Sequence, residues 1–464
     1  MNFVRKILIS LSIFLLSFFV SGFARADTLG QSRTFFVNSG YDNYGRTSLP
    51  ATLKTISDRA YFYVDDKYWN SLSAYGRDVT MTGLQNLAIE FDNNIYPGET
   101  SFWGSEAKPG IDNDPRLLIL LEDLSTGNGG YFETKNLFSK SMAENSNESE
   151  MIVVNANVIG ADYIKNFVAH ELQHVISFNQ KEVLNDSKED IWLNELRSEY
   201  SVSLLGYNDI FYDSNLDRRI RDFMDNPSDS LTEWPNIRTD YAIVAVFGQY
   251  LVERFGKDIL AATLHYGSYS IPSFNQYLNQ FNMNFGDVFL EWMAASYLND
   301  RSYDPRFGYI GGGLKTIKVE PQSSVYLSLS TVDHNNMISV KDWRPYWIEY
   351  KFQPVADKNK SLKFDIAGQS GQNFLISYAA FYNDGQIKGG RIPLVDGRAI
   401  GYIKNFQDRQ LTKVILMMTN GQKLVDFTKS EFSVRGKGGK IRVVFLSDNA
   451  KSSLQKYLQA RPDI

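Results

Sequence analysis

His170-Glu171-Leu172-Gln173-His174 is the stretch on which the reading of this chain turns. An H-E-x-x-H pentad on a helix puts two imidazoles one turn apart on one face, where both reach a single zinc ion, with the glutamate beside the metal's water. The chain has 4 His in 464 residues. Chance would place such a pentad, even counting Asp as Glu, with a probability of only about 0.004. Around it, Tyr163, Ile164, Phe167, Val168 and Ala169, then Val175, Ile176 and Phe178, are apolar at helical spacings, which predicts a core helix over about 162–178. A lone His in such a helix is ordinarily a structural residue satisfied by its neighbours. Two His flanking a Glu at this spacing point to metal binding instead.

Catalytic zinc takes three protein ligands and leaves one position open for water. No His follows His174 at the short glycine-containing spacing of metzincins, which excludes that branch. The segment Trp192-Leu193-Asn194-Glu195-Leu196-Arg197-Ser198-Glu199-Tyr200 resembles the N-E-x-x-S-[DE] segment of thermolysin-type gluzincins. That resemblance implies Glu195 as the third ligand and Glu199 as the carboxylate that orients a ligand His. Asp190 is a candidate cap for this second helix, and Leu193, Leu196, Tyr200 and Leu204 give it an apolar stripe. An acidic pair at i,i+4 is by itself usually a solvated surface; downstream of an H-E-x-x-H helix it reads as ligand and supporting group.

Beyond the two helices, Gly110-Ile111-Asp112-Asn113-Asp114-Pro115, the run Arg116 to Leu121, Gly130-Tyr131-Phe132 and Ser146-Asn147-Glu148-Ser149-Glu150-Met151 resemble the hyicolysin-type neutral metalloproteases, which are secreted bacterial gluzincins. The likeness covers roughly 50–300. It implies a zinc endopeptidase acting on protein or peptide substrates, with a mixed β-sheet over a helical lower half. It also implies that Gly130, Tyr131 and Phe132 form an edge strand beside the cleft, able to hold a substrate backbone by strand addition; a Gly-rich loop tip is the other reading. Tyr241, at the head of a downstream helix, is by the same resemblance the donor to the oxyanion, with Glu171 as general base. His265 competes for the donor role, although a polar group toward the end of a helix is also favoured there without any catalysis. His334 reads as a turn residue.

The N-terminus indicates export. Arg5 and Lys6 precede an apolar run from Ile7 to Val20, and Ala24-Arg25-Ala26 has the small-x-small pattern of a signal-peptidase site, so residues 1–26 read as a signal peptide. The expected destination is the periplasm or the extracellular medium, with no integral membrane segment after cleavage. The chain contains 0 Cys, so no disulfide supports the fold. A formal net charge of -5 and the absence of a basic cluster with interleaved aromatics argue against a nucleic-acid partner. One zinc ion (Zn2+) is the expected cofactor. Asp112, Asn113 and Asp114 could bind calcium (Ca2+), but such a triplet before Pro115 is more often a turn and no EF-hand ligand pattern is present.

Read along its length, the chain predicts an α+β protein. Strands are expected at Ala60 to Val64, 117–121 and 151–156, and helices at Leu84 to Phe91, Tyr241 to Phe255, stopped by Gly256, and Phe285 to Leu298. Beyond about 306 the texture changes to short alternating runs, Val325-Tyr326-Leu327-Ser328-Leu329, Trp347-Ile348-Glu349-Tyr350 and Val414-Ile415-Leu416-Met417, separated by Gly-containing turns, the pattern of a β-sandwich. The expected organisation is a metallopeptidase domain over 27–308 and an all-β sandwich over 309–464, with Gly311-Gly312-Gly313 at the junction. The alternative from another class is a catalytically inactive surface or adhesion protein that binds through its sandwich. An intact Glu171 separates the two, because a degenerate enzyme has no need of a carboxylate beside the metal's water.

Overall fold

The computed structural model describes residues 26–327, 334–352, 362–368, 372–403 and 411–421, with the backbone alone of 431–435 and 441–445. The expected signal peptide, apart from Ala26, and positions 328 and 329 of the expected strand lie outside the described residues. The protein is α+β, and it divides after Asp186 into two compact units.

In the first unit six strands form one mixed sheet: β1 (Ser32–Phe36), β2 (Ser48–Ile56), β3 (Ala60–Asp65), β4 (Leu117–Glu122), β5 (Gly130–Tyr131) and β6 (Met151–Asn155), in the order β1-β2-β3-β4-β6-β5. β4 is apolar from Leu117 through Leu121 because it is central and runs parallel to both neighbours, β3 and β6, with both faces covered. Successive side chains alternate. Leu118 and Leu120 join Phe35, Leu49, Leu53, Tyr61, Tyr63 and Val153 in one core cluster, and Ile119 and Leu121 turn to the opposite face. The helices of this unit are α1 (Asp66–Ser71), α2 (Ala74–Glu90), α3 (Tyr96–Trp103) and α4 (Ile164–Ser177), and α4 packs on β6 and α3.

The second unit begins with six helices: α5 (Ile191–Leu204), α6 (Asn215–Asp225), α7 (Arg238–Phe255), α8 (Asp258–His265), α9 (Ser270–Leu278) and α10 (Phe285–Leu298). α7 stops as its sequence predicts, at Gly256 with φ 80°, a conformation that glycine adopts at little cost. Strands follow: β7 (Ser323–Leu327), β8 (Tyr346–Phe352), β9 (Leu362–Ala367), β10 (Phe374–Tyr382), β11 (Ile387–Arg391), β12 (Arg398–Ile403) and β13 (Leu411–Asn420), then the antiparallel pair β14 (Glu431–Arg435) and β15 (Ile441–Phe445). Five of them make a sheet in the order β11-β10-β13-β8-β7. One face of that sheet, with Ile348, Ile376, Ala380, Val414 and Leu416, packs on the β9-β12 pair through Ala399 and Phe364.

The other face packs on α10. Trp347 donates its indole N–H to the Met293 carbonyl at 3.1 Å, Lys413 Nζ meets the Tyr297 hydroxyl at 2.9 Å, and Trp343 lies edge-on to Phe285 and Phe289. The texture change expected near 308 is therefore present as a switch from helices to strands, while packing continues across it. Gly311 to Gly313 are tied down: the N–H groups of Ile310 and Gly311 donate to the Glu253 carboxylate at 2.8 and 2.6 Å. A Cβ added at Gly313 would lie 2.1 Å from the Phe211 ring.

Candidate metal centre

α4 carries the pentad. Ile164, Val168, Leu172, Val175 and Ile176 fall on its apolar side and are buried, which fixes the rotation of the helix about its axis. One turn apart, the His170 and His174 rings have centroids 4.9 Å from each other, and between them in sequence Glu171 is 6% exposed. The edge strand lies directly against this helix. A Cβ built at Gly130 would come within 3.0 Å of Glu171 Cγ and 2.8 Å of the Val153 carbonyl oxygen, and one at Gly129 within 2.3 Å of the Phe167 ring. Phe167 and Glu171 are i,i+4 on α4, so two consecutive glycines bring main chain onto the pentad's helix where any side chain would hold it away. Gly130 and Tyr131 are the edge strand expected from the sequence, paired antiparallel with β6, and Phe132 follows just beyond it.

α5 carries the acidic pair. Trp192, Leu193 and Leu196 are buried, leaving Glu195 half-buried and Glu199 4% exposed one turn further on. Asp190 stands at the N-cap position in extended conformation, but its side chain makes no capping hydrogen bond. The entry to α5 is fixed differently. Fully buried Arg197 donates to Glu189 Oε2 at 2.9 Å, and Glu189 Oε1 accepts the Ser270 N–H at 2.7 Å. His170, His174 and Glu195 each offer a ligand atom within 4.8 Å of the others, so the three could hold a metal ion. Among the described residues no second group of three His, Asp or Glu side chains comes as close.

Glu199 is gripped from α6. Arg219 donates from Nε to Oε2 at 2.9 Å and from Nη2 to Oε1 at 2.6 Å, and Asn215 Nδ2 adds a bond to Oε2 at 2.9 Å. Burial alone would disfavour the guanidinium's charge, but the carboxylate outweighs it and holds the Arg219 pKa above its ordinary value. The same guanidinium lies 4.8 Å from the centre of the Tyr241 ring, and the Tyr241 hydroxyl donates to Asn236 Oδ1 at 2.8 Å. Next to it, burial raises the Asp240 carboxyl to about 7 despite the N–H it accepts from Ile237. Arg219 and Asn215 are not legible as site residues in the sequence. His265 is the last residue of α8 and is exposed, and His334 is exposed in a loop.

The Asp112-Asn113-Asp114 segment is a turn with Asn113 at φ 60°. Its carboxylates take protein donors: Asp112 accepts from Ser149 Oγ at 2.8 Å and Asp114 from the Tyr61 hydroxyl at 2.7 Å. On β5, the buried Tyr131 hydroxyl donates to Glu122 Oε2 at 2.9 Å, and burial raises the Glu122 carboxyl to about 8. No helix among the described residues is long and apolar enough to cross a membrane. No protein-family model matches this chain, and no curated protein matches it at a significant level.

Proposed function

We propose that this chain is an exported bacterial zinc endopeptidase of gluzincin type. The observation that carries the reading is the convergence of His170, His174 and Glu195 beside a buried Glu171. Two neutral imidazoles and one carboxylate form a three-ligand set suited to zinc and leave a position open. When bound, zinc would acidify a water and polarise the scissile carbonyl. Glu171 then takes the proton as general base and returns it to the leaving amine nitrogen. The substrate backbone lies along Gly130-Tyr131, whose neighbour Glu171 is brought close by the missing side chain at 130.

In this reading Tyr241 turns its hydroxyl from Asn236 toward the oxygen on which negative charge develops. Glu199 accepts a ring N–H from one ligand His. A carboxylate has about four acceptor sites, so the donors from Arg219 and Asn215 leave room for it. The test is casein hydrolysis by the purified full chain, abolished by a chelator and restored by zinc. A zinc-loaded protein that cleaves no protein or peptide would end the proposal.

A further inference from the structure

The second unit holds a feature that the proposed reaction does not use. Among the described residues, β11 is the outermost strand of its sheet, paired with β10 in the register Phe381↔Ile387, Ala379↔Gly389 and Ser377↔Arg391. At its two ends Tyr382 N–H donates to the Gln386 carbonyl at 3.0 Å and Ile392 N–H to the Ile376 carbonyl at 2.9 Å. In an antiparallel ladder, residues bonded to the partner alternate with residues whose N–H and C=O point away. Lys388 and Gly390 therefore bond inward, and Ile387, Gly389 and Arg391 present their backbone groups at the open edge. No backbone bond from a described residue meets them there.

The side chains of Ile387 and Arg391 face α10, as the ion pair between Arg391 and Asp287 demonstrates, and Gly389 between them leaves its place on that face open. On that face small residues open the sheet: Ser377, Ala379 and Gly389 border a cavity of about 390 Å³, closed from the other side by Leu290 and Ala294 of α10. Ser377 is only 9% exposed, and its hydroxyl has no hydrogen-bond partner among the described residues. A buried hydroxyl without a partner is unfavourable and calls for a ligand atom. The charges at the rim are already paired, Arg391 with Asp287 and Arg306 with Glu291 and Asp304, so the space itself suits a neutral group.

We propose that the β11 edge and this slot form a docking site for an extended peptide segment. Its backbone adds as a strand to Ile387, Gly389 and Arg391, and its side chain opposite Gly389 enters the cavity, where a polar atom on a long side chain reaches toward Ser377 Oγ. A peptide fits better than a compact small molecule because outward N–H and C=O groups stand beside the cavity at strand spacing. That the segment belongs to a protein substrate rests on the peptidase reading, whereas the docking does not.

The test uses the full chain carrying Glu171→Gln, which removes the proposed hydrolysis, and a fluorescent peptide of alternating threonine and leucine. Binding is followed by anisotropy and by amide hydrogen exchange. The expected result is slowed exchange, by about tenfold or more, at Ile387, Gly389 and Arg391, lost with a copy of the peptide N-methylated at alternate amides. Ile387→Pro removes an outward N–H together with the Ile387 side chain beside the slot, so it should weaken binding about tenfold, and Ile387→Val, which keeps the N–H, should weaken it far less. Ala294→Leu, which fills the slot and leaves the edge intact, should weaken the leucine peptide but not one of threonine and alanine. No binding, protection confined to Gly129 to Tyr131, or affinities indifferent to both Ile387→Pro and Ala294→Leu would each overturn the proposal. Protection at β11 in a wild-type protein that cleaves nothing would leave the docking site standing and remove only the peptidase reading.

Discussion

Arg219 and Glu199 meet edge to edge, Nε to Oε2 at 2.9 Å and Nη2 to Oε1 at 2.6 Å, with Glu199 2% exposed and Arg219 21% exposed at the side chain. Breaking such a pair leaves a buried carboxylate without its counter-charge. Arg219→Gln is expected to cost stability toward the low end of the ~3–5 kcal/mol typical of a broken buried pair. Arg219→Lys keeps the charge but loses the fork, and should fall between. Urea unfolding of both variants and of Glu199→Gln/Arg219→Gln, in which the charges leave together and stability largely returns, checks this.

Glu171→Gln should abolish hydrolysis while metal content and melting temperature stay near wild type, because the amide is nearly isosteric with the acid but cannot accept the proton. Tyr241→Phe should lower kcat by roughly 10²–10³-fold with metal unchanged, whereas exposed His265→Ala should be nearly silent. Near-normal turnover in the Glu171 variant would sink the mechanism.

The two glutamates of α5 are separable by metal content after identical dialysis. Glu195→Ala leaves two protein ligands and should strip the ion. Glu199→Ala should weaken affinity by about 10–100-fold and be partly rescued by excess zinc. The reverse order would place the third ligand one helical turn further on.

Gly130→Val sets a side chain where a Cβ alone would come within 2.8 Å of the Val153 carbonyl and 3.0 Å of Glu171 Cγ. Overpacking of this kind destabilises by about 1–3 kcal/mol. Thermal unfolding should show that loss, and peptide turnover should fall further than metal content does, since the displaced group is Glu171.

Periodicity makes the helices legible: Phe285 to Leu298 and the stop at Gly256 read residue for residue, because their apolar spacing and terminating glycine are local properties. The pentad is legible from its own spacing, whereas Glu195 is legible only through the resemblance of its segment, since an acidic pair at i,i+4 is by itself usually a solvated surface. Arg219 is not legible. It stands among Arg218 and Arg221 on a strongly polar helix, and only the packing of α6 decides which guanidinium reaches Glu199. The closeness of Gly129 and Gly130 to α4 is equally hidden, since it depends on Phe167 and Glu171, some forty residues away.

Glu122 supplies a pH signature. Burial raises its folded pKa to about 8, against an ordinary value of 4.5. A group raised on folding contributes stability that is complete below the unfolded pKa and is lost as pH rises through the folded one. Stability should therefore decline from about pH 5 toward pH 8, and Glu122→Gln should flatten the decline and gain several degrees of melting temperature at about pH 9. Parallel melting curves that never cross with pH would contradict this.

Helix α10 takes part of its covering from later in the chain: Met293 is capped by Trp347, 54 residues on, and Phe285 and Phe289 are met by Trp343. At roughly 5–20 residues per second of synthesis, that interval lasts about 3–10 s. Throughout it Phe285 and Phe289 have only earlier rings such as Phe247 of α7 to pack on, so the helical half of the nascent protein is complete on one side of α10 alone until its strands are made.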